Sequence, residues 1–265
     1  GIAVAGGTGY VVAALLVFPA PLIAHRRTVP RVLGLSLADA RRRKPVYDWS
    51  AYTPPRPSFL GTCVYNPVPL EEIVPYIDWT PFFHAWELRG IYPKIFEQVG
   101  VGPKAKELFD DGQKLLDRIV REQLLEARAV IGFFPANSVL EDIEVYADES
   151  RHSLTTFHTL RQQTLRENQE PNYAVADFIA PCESGKMDYL GAFAVTVGLR
   201  IESLVERFEK DNDDYSALMA KALADRLAEG LAELMHKRAR IEWGFGQNEN
   251  LSIGDLARER YRGIR

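Results

Sequence analysis

Apolar side chains recur at three- and four-residue steps from Tyr215 through Leu218, Met219, Ala222, Leu223, Leu227, Leu231 and Leu234 to Met235. That period places them on one stripe and predicts a long helix, built from the good helix formers Ala, Leu, Glu, Lys and Arg. A second stripe, with Leu108, Leu115, Leu116, Ile119 and Leu124, predicts a helix over 105–128. Between the two the pattern shortens. Residues 129–134 read as a buried strand that 135–138 turn, and 142–146 alternate as a half-buried strand does. Residues 173–181 and 189–197 supply two more strands, with Ser184-Gly185-Lys186 as the turn of an antiparallel hairpin. A loop over 243–252 and a short helix near 253–261 end the pattern. Strands in the middle and helices at both ends, without an internal repeat, predict the α+β class: a twisted, mainly antiparallel sheet flanked by helices.

The densest apolar segment is 76–90. Tyr76, Trp79, Phe82, Phe83 and Trp86 put five aromatics within eleven residues, with Asp78 in their midst. So much ring area predicts a central plug. Pro81 favours an extended Thr80 at a helix start. Phe82, Phe83, Trp86 and Leu88 then line that helix, which Gly90 ends. A carboxylate among aromatics is costly without partners. Asp78 therefore either caps the helix through nearby amides or holds a cationic or hydroxylated ligand.

Composition narrows the function. A length of 265 residues suits one large domain or a domain with an appendage, and a formal charge of −4 leaves no basic excess for a nucleic-acid partner. Cys63 and Cys182 lack metal-ligand company, and the five histidines form no HExxH pattern. They fit incidental thiols in a reducing, cytoplasmic setting. Residues 1–24 carry no charge, but Gly6, Gly7, Gly9, Pro19 and Pro21 interrupt them and the basic residues follow rather than precede, which argues against a membrane span or signal peptide. Gly6-Gly7-Thr8-Gly9 matches no complete phosphate-loop pattern. Residues 38–60, with a basic run over 41–44 and Tyr52-Thr53-Pro54-Pro55, read as a semi-rigid linker. Asp225 and Glu229, four apart, share a helix face as a solvated acidic stripe or as a pocket wall that meets a cation, while Arg226 faces elsewhere.

Several segments together resemble one family. Ile77-Asp78-Trp79-Thr80-Pro81-Phe82-Phe83 with Trp86-Glu87-Leu88, the 148–151 corner, Leu160-Arg161-Gln162-Gln163, the 222–229 octet, Asn248-Glu249-Asn250-Leu251 and Gly263-Ile264-Arg265 are similar, in order, to the activation domain of cobalamin-dependent methionine synthase. The resemblance implies a C-shaped activation-domain fold over 46–265. It implies a remnant of a preceding cobalamin-binding domain plus linker over 1–45, residues 9–16 being similar to that domain's last helix. It also implies binding of S-adenosylmethionine for reductive remethylation of cob(II)alamin, in concert with the cobalamin-binding domain and a flavodoxin or methionine synthase reductase-type electron donor. Zinc belongs to a homocysteine module outside this sequence. By the same likeness Asp78 bonds the ligand's amino group and Arg265 its carboxylate, with Asp225, Glu229 and Glu259 as acids near the site. The family's Gly-Tyr-x-Ala-Cys-Pro segment and a later tyrosine fall beyond Arg265, so the fragment alone is expected neither to complete the pocket nor to turn over. The alternative is a docking module for an electron-donor flavoprotein that has lost ligand binding.

Overall fold

The computed structural model describes residues 2–5, 10–16, 34–165, 170–246, 251 and 255. Among them seven strands form one antiparallel sheet: β1 (Ile2–Ala5), β2 (Tyr10–Leu16), β3 (Gly61–Val68), β4 (Glu126–Val139), β5 (Asp142–Tyr146), β6 (Ser153–His158) and β7 (Asp188–Leu199). The spatial order is β1-β2-β7-β4-β5-β6, with β3 beside β4. Six helices accompany it: α1 (Leu37–Arg42), α2 (Leu70–Ile73), α3 (Thr80–His84), α4 (Gly102–Arg121), α5 (Ile201–Lys210) and α6 (Asp214–Glu242). The class is α+β, as the pattern predicts. No helix among the described residues is long and apolar enough to cross a membrane.

Strand β4 is the axis of the sheet. One edge pairs with β7, from Glu126 opposite Leu199 to Ala136 opposite Asp188. The other is shared: β3 pairs as far as Phe133 opposite Gly61, and β5 takes over at Ala136 opposite Val145. Pro135 lies at the changeover, where one side of the ladder has no partner and a missing N–H disturbs least. Residues 135–138 therefore continue the strand instead of turning the chain, and the turn comes at Leu140. Helix α4 likewise stops at Arg121, and Gln123 at φ 49° redirects the backbone into β4.

Two further expectations change. Residues 173–181 form no ladder strand. They hold a single 3-10 turn, Val175–Phe178, because side chains pin their backbone: Ser138 Oγ donates to the Ile179 carbonyl and Asn137 Nδ2 to those of Ala180 and Lys186. The hairpin is thus absent, although Gly185 at φ 72° still turns the chain into β7. Residues 10–16, similar in sequence to a helix, are strand β2 along Gly191 to Thr196 of β7, where an open sheet edge offers ladder partners to a Tyr-Val-Val segment of high strand propensity. The 6–9 glycine segment and the 253–261 helix lie outside the described residues or nearly so, Asp255 alone being described as helical.

Alternation along the strands divides the core. Ala127, Ala129, Ile131 and Phe133 of β4, with Tyr189, Phe193, Val195 and Val197 of β7, join the helices in the main cluster. Ala136, Ile143, Val145 and Leu190 join Ala176 and Ile179 in a smaller one. In α6 the predicted stripe from Leu223 to Met235 is buried, but Ala220, Ala224, Ala228 and Gly230 are buried too, so the helix is enclosed on most sides. Its first stripe members, Tyr215 and Leu218, are instead 45% and 47% exposed.

The expected semi-rigid linker is fastened to the body. The Leu35 N–H donates to the Gln163 carbonyl (2.7 Å), the Asn172 N–H to that of Arg43 (2.9 Å), Lys186 Nζ to that of Ser50 (3.1 Å) and Trp243 Nε1 to that of Pro55 (3.0 Å). Arg41 bonds Glu141 through Nη2 at 2.6 Å, and Arg56 bonds Glu149 at 3.0 Å. Beneath this strap Arg161, its side chain 1% exposed, donates through Nε to Glu141 (2.7 Å) and through both terminal nitrogens to Asp177 (2.8 and 2.7 Å). Its Nη1 also donates to the Asn172 carbonyl (2.7 Å). Arg41, then Arg161, hold the Glu141 carboxyl below its usual range.

Replacing Arg161 by Met leaves two nearly buried carboxylates without their shared cation. Breaking such a pair from one side costs about 3–5 kcal/mol, and chemical denaturation of Arg161→Met should show a loss of that order. A loss below about 1 kcal/mol, the range of surface pairs, would remove the clamp from this account.

Asp188 gives a pH signature. It is 8% exposed and accepts the Ala180 and Tyr189 N–H groups, but burial outweighs those bonds and raises its pKa to about 6. A raised acid favours the protonated folded state. Its contribution to stability is therefore largest below the ordinary value of 3.8 and declines as pH rises through about 6. Between pH 7 and 4.5 the wild type should gain roughly 2 kcal/mol relative to Asp188→Asn, which does not titrate. Parallel stability–pH curves for the two proteins would refute the assignment.

Candidate functional site

The aromatic segment forms a plug by edge-on ring contacts. Trp79 meets Phe82 at 5.2 Å and Phe109 of α4 at 4.9 Å, and Phe82 meets Phe83 at 5.7 Å and Trp86 at 5.1 Å. Phe82 and Phe83 are buried, and α4 is close enough that a Cβ on Gly112 would lie 2.8 Å from Phe82 Cζ. The helix that carries them is shorter than the sequence predicts: α3 ends at His84, and Glu87 takes φ 59°. Gly90 serves close approach, not helix termination, since a Cβ there would lie 2.7 Å from the Ile95 side chain.

Asp78 is exposed although its neighbours Ile77 and Trp79 are buried. Its Oδ1 accepts the Thr80 N–H at 2.9 Å, a turn that leads the chain into α3. Among the described residues its carboxylate makes that one bond, so Oδ2 is open. Both readings of this acid therefore remain: it caps, and it has an oxygen left for a ligand.

The segment that carries Asp78 lies along α6. Near the helix start, the Trp86 ring is 6.4 Å from that of Tyr215. Further along, Gly230 touches the turn before Asp78, where a Cβ would meet the Ile73 carbonyl oxygen at 3.3 Å and the Tyr76 carbonyl carbon at 3.4 Å. Further still, Lys237 Nζ donates to the Tyr76 hydroxyl (3.1 Å), and Arg238 pairs with Glu72 with its guanidinium 5.1 Å from the Tyr65 ring. The plug thus runs antiparallel to α6. Asp78 lies between those contacts in sequence, on the segment packed against α6, the helix that carries Asp225 and Glu229.

Those two acids differ. Asp225 is paired with Arg226, whose side chain is 13% exposed, so Arg226 does not face elsewhere; a half-buried guanidinium takes the carboxylate next to it in sequence. Glu229 is half-buried and has no hydrogen-bond or ion-pair partner among the described residues. By their four-residue spacing Asp225 and Glu229 share one face of α6, and Asp78 lies on the segment packed along that helix, while Glu259 and Arg265 lie outside the described residues. Arg226 and Lys237 are the participants that sequence reasoning missed. Periodicity alone gives them surface positions, and only the packing of the plug draws them in. No group of three or more His, Cys, Asp or Glu residues with metal-binding geometry occurs among the described residues.

Comparison with known proteins gives the family. The family described as vitamin B12-dependent methionine synthase, activation domain, matches residues 69–265. A solved structure entitled "Crystal Structure of the MetH Reactivation Domain bound to AdoHcy" is 49% identical in sequence, with a TM-score of 0.83 over 88% of this chain and 71% of that one. The matched region contains the plug, the whole sheet from β4 to β7, and α6. The chain belongs to the activation-domain family of vitamin B12-dependent methionine synthase.

Proposed function

We propose that this chain binds S-adenosylmethionine along the side of α6 bordered by Asp78, Asp225 and Glu229, as the module that presents a methyl donor when the cobalamin of a methionine synthase is reductively remethylated. The observation that carries this reading is the open carboxylate oxygen of Asp78, exposed on a packed aromatic plug. An ammonium and a sulfonium are both cations, and carboxylates preorganised at these positions favour them. The related structure, in its own title, holds AdoHcy, which is S-adenosylmethionine without its transferable methyl group.

In this reading Asp78 accepts the ligand ammonium, while Asp225 and Glu229 set a negative potential for the sulfonium. Arg265 forks onto the ligand carboxylate and Glu259 adds a nearby acid. Cobalamin, when bound by its own domain of the enzyme, supplies the cobalt that receives the methyl group. This chain's residues bind and orient the donor, and a flavodoxin or reductase-type partner delivers the electron. The domain boundary drawn from sequence at 45/46 is a proposal, and the bonds of Leu35, Arg41 and Arg43 to the body support a start nearer residue 34. A second reading, a docking module without ligand, draws on the bond from the Thr80 N–H, which gives Asp78 a structural task.

Calorimetric titration with S-adenosylmethionine separates the two. Asp78→Asn keeps a carbonyl for the Thr80 N–H but loses the charge, so affinity should fall roughly ten- to hundredfold, about 1.5–3 kcal/mol, with little change in unfolding midpoint. No binding heat from the folded wild type would favour the docking module. Wild-type affinity in the mutant would remove Asp78 from the site.

Gly230 provides an independent test. Valine there crowds Ile73 and Tyr76, at a cost of about 1–3 kcal/mol, and lifts the plug from α6. Ligand affinity should drop several-fold while the helical circular dichroism persists. Undiminished affinity in a destabilised Gly230→Val protein would separate the site from this contact.

A further inference from the structure

The strap over 34–58 covers a slot of about 190 Å³ whose walls are apolar. Tyr47 and Trp49 come from the strap, Leu140 from the β4–β5 turn, and Ile179 and Pro181 from the segment ahead of β7. The Tyr47 ring lies 6.1 Å from both Trp49 and Phe178, so these walls are packed before any guest arrives. The polar groups of the floor are already engaged. Asp177 accepts from both terminal nitrogens of Arg161 and from the Ala174 N–H, and Ser138 Oγ donates to the Ile179 carbonyl. A guest therefore meets an apolar interior.

Two charges of opposite sign complete the lining, Lys44 and Glu183. Both are exposed, and neither side chain has a hydrogen-bond or ion-pair partner among the described residues, so they do not pair with each other across the slot. Their backbones are held. The Lys44 N–H donates to the Arg41 carbonyl (3.2 Å), and Glu183 lies in the 3-10 turn Cys182–Ser184, closed by the Ser184 N–H on the Pro181 carbonyl (2.9 Å). The strap side thus carries a cation and the Pro181 side an anion. A ligand with one positive charge would face Lys44, and one with a negative charge Glu183, whereas a zwitterion satisfies both. Size narrows the choice further. A cavity of about 150 Å³ admits benzene, and drug-sized ligands fill roughly 300–1,000 Å³. A slot of about 190 Å³ receives one apolar side chain and excludes a nucleoside.

We propose that this slot binds a free zwitterionic α-amino acid with an apolar side chain, its carboxylate on Lys44, its ammonium on Glu183 and its side chain between Tyr47, Trp49 and Ile179. None of the lining residues belongs to α6 or to the aromatic plug, so the slot is separate from the site assigned to the methyl donor. Methionine, after which the family is named, has this chemistry, and its thioether suits a place between aromatic rings.

Calorimetric titration of the chain with L-methionine tests the proposal. The wild type should give a saturable heat. Lys44→Met and Glu183→Gln, both at exposed positions, should each weaken binding about tenfold or more, the loss of one charge-assisted contact, and leave the S-adenosylmethionine titration as in the wild type. Methionine methyl ester lacks the carboxylate charge. It should bind the wild type about tenfold more weakly and lose nothing further in Lys44→Met, since ligand and variant remove the same pair. No saturable heat, or heat that survives both substitutions, would overturn the assignment. Loss of the methionine heat in Asp78→Asn but not in Lys44→Met would move the amino acid to α6 and overturn it as well. N-acetylmethionine amide carries the side chain without either charge, as a polypeptide does. Binding as tight as that of free methionine would make the slot a pocket for a protein side chain and sink the zwitterion.

Discussion

Enclosure of α6 is the constraint on which the remaining structure depends. A helix buried on most sides must present small residues wherever backbone approaches, and Ala220, Ala224, Ala228 and Gly230 meet that demand. Gly230 is the tightest point, with the Ile73 carbonyl and the Tyr76 backbone within about van der Waals distance of any added Cβ. Because the turn over 73–76 is fixed there, the next residues have little freedom, and Asp78 emerges exposed on the segment packed along α6. The sheet supports the other side of the same helix through the inward residues of β4 and β7.

The site follows from this packing by division of labour. The aromatic rings supply burial and rigidity, and the acid at their edge stays wet. Buried, the Asp78 carboxylate would need several partners to offset desolvation; exposed, it needs one, the Thr80 N–H, and keeps the other oxygen available. The opposite solution appears at Asp188, where burial outweighs two N–H donors and raises the pKa to about 6, and the carboxyl group pins the Ala180 and Tyr189 backbone. Two aspartates of one fold thus separate into a positioning role and a candidate ligand role by exposure alone.

The polar clamp around Arg161 does for the strap what the rings do for the plug. Arg41, Glu141, Arg161 and Asp177 alternate in sign, so each charge has an opposite neighbour, and all but the exposed Arg41 lie in a nearly dry place. That network, with the Leu35 and Arg43 backbone bonds, holds residues 34–45 to the body.

Periodicity and residue type alone determine much of this protein. Leu223 to Met235 at helical steps require a buried helix, alternation at 142–146 requires a half-buried strand, and five aromatics in 76–86 require a plug, because each pattern has one economical way to bury its apolar face. Motif likeness over the same residues carries the family. What sequence does not decide is every feature set by a partner distant in the chain. Pro135 stays in β4 because β3 and β5 leave a gap there, residues 173–181 lose their strand to Asn137 and Ser138, and the linker becomes a strap because Glu141, Glu149 and Gln163 meet it. Asp225 pairs with Arg226, whose guanidinium is largely buried in the folded chain. Local propensities are worth a few tenths of a kcal/mol per residue, whereas a ladder bond or a buried ion pair outweighs them. Only the folded chain shows which of these contacts are made.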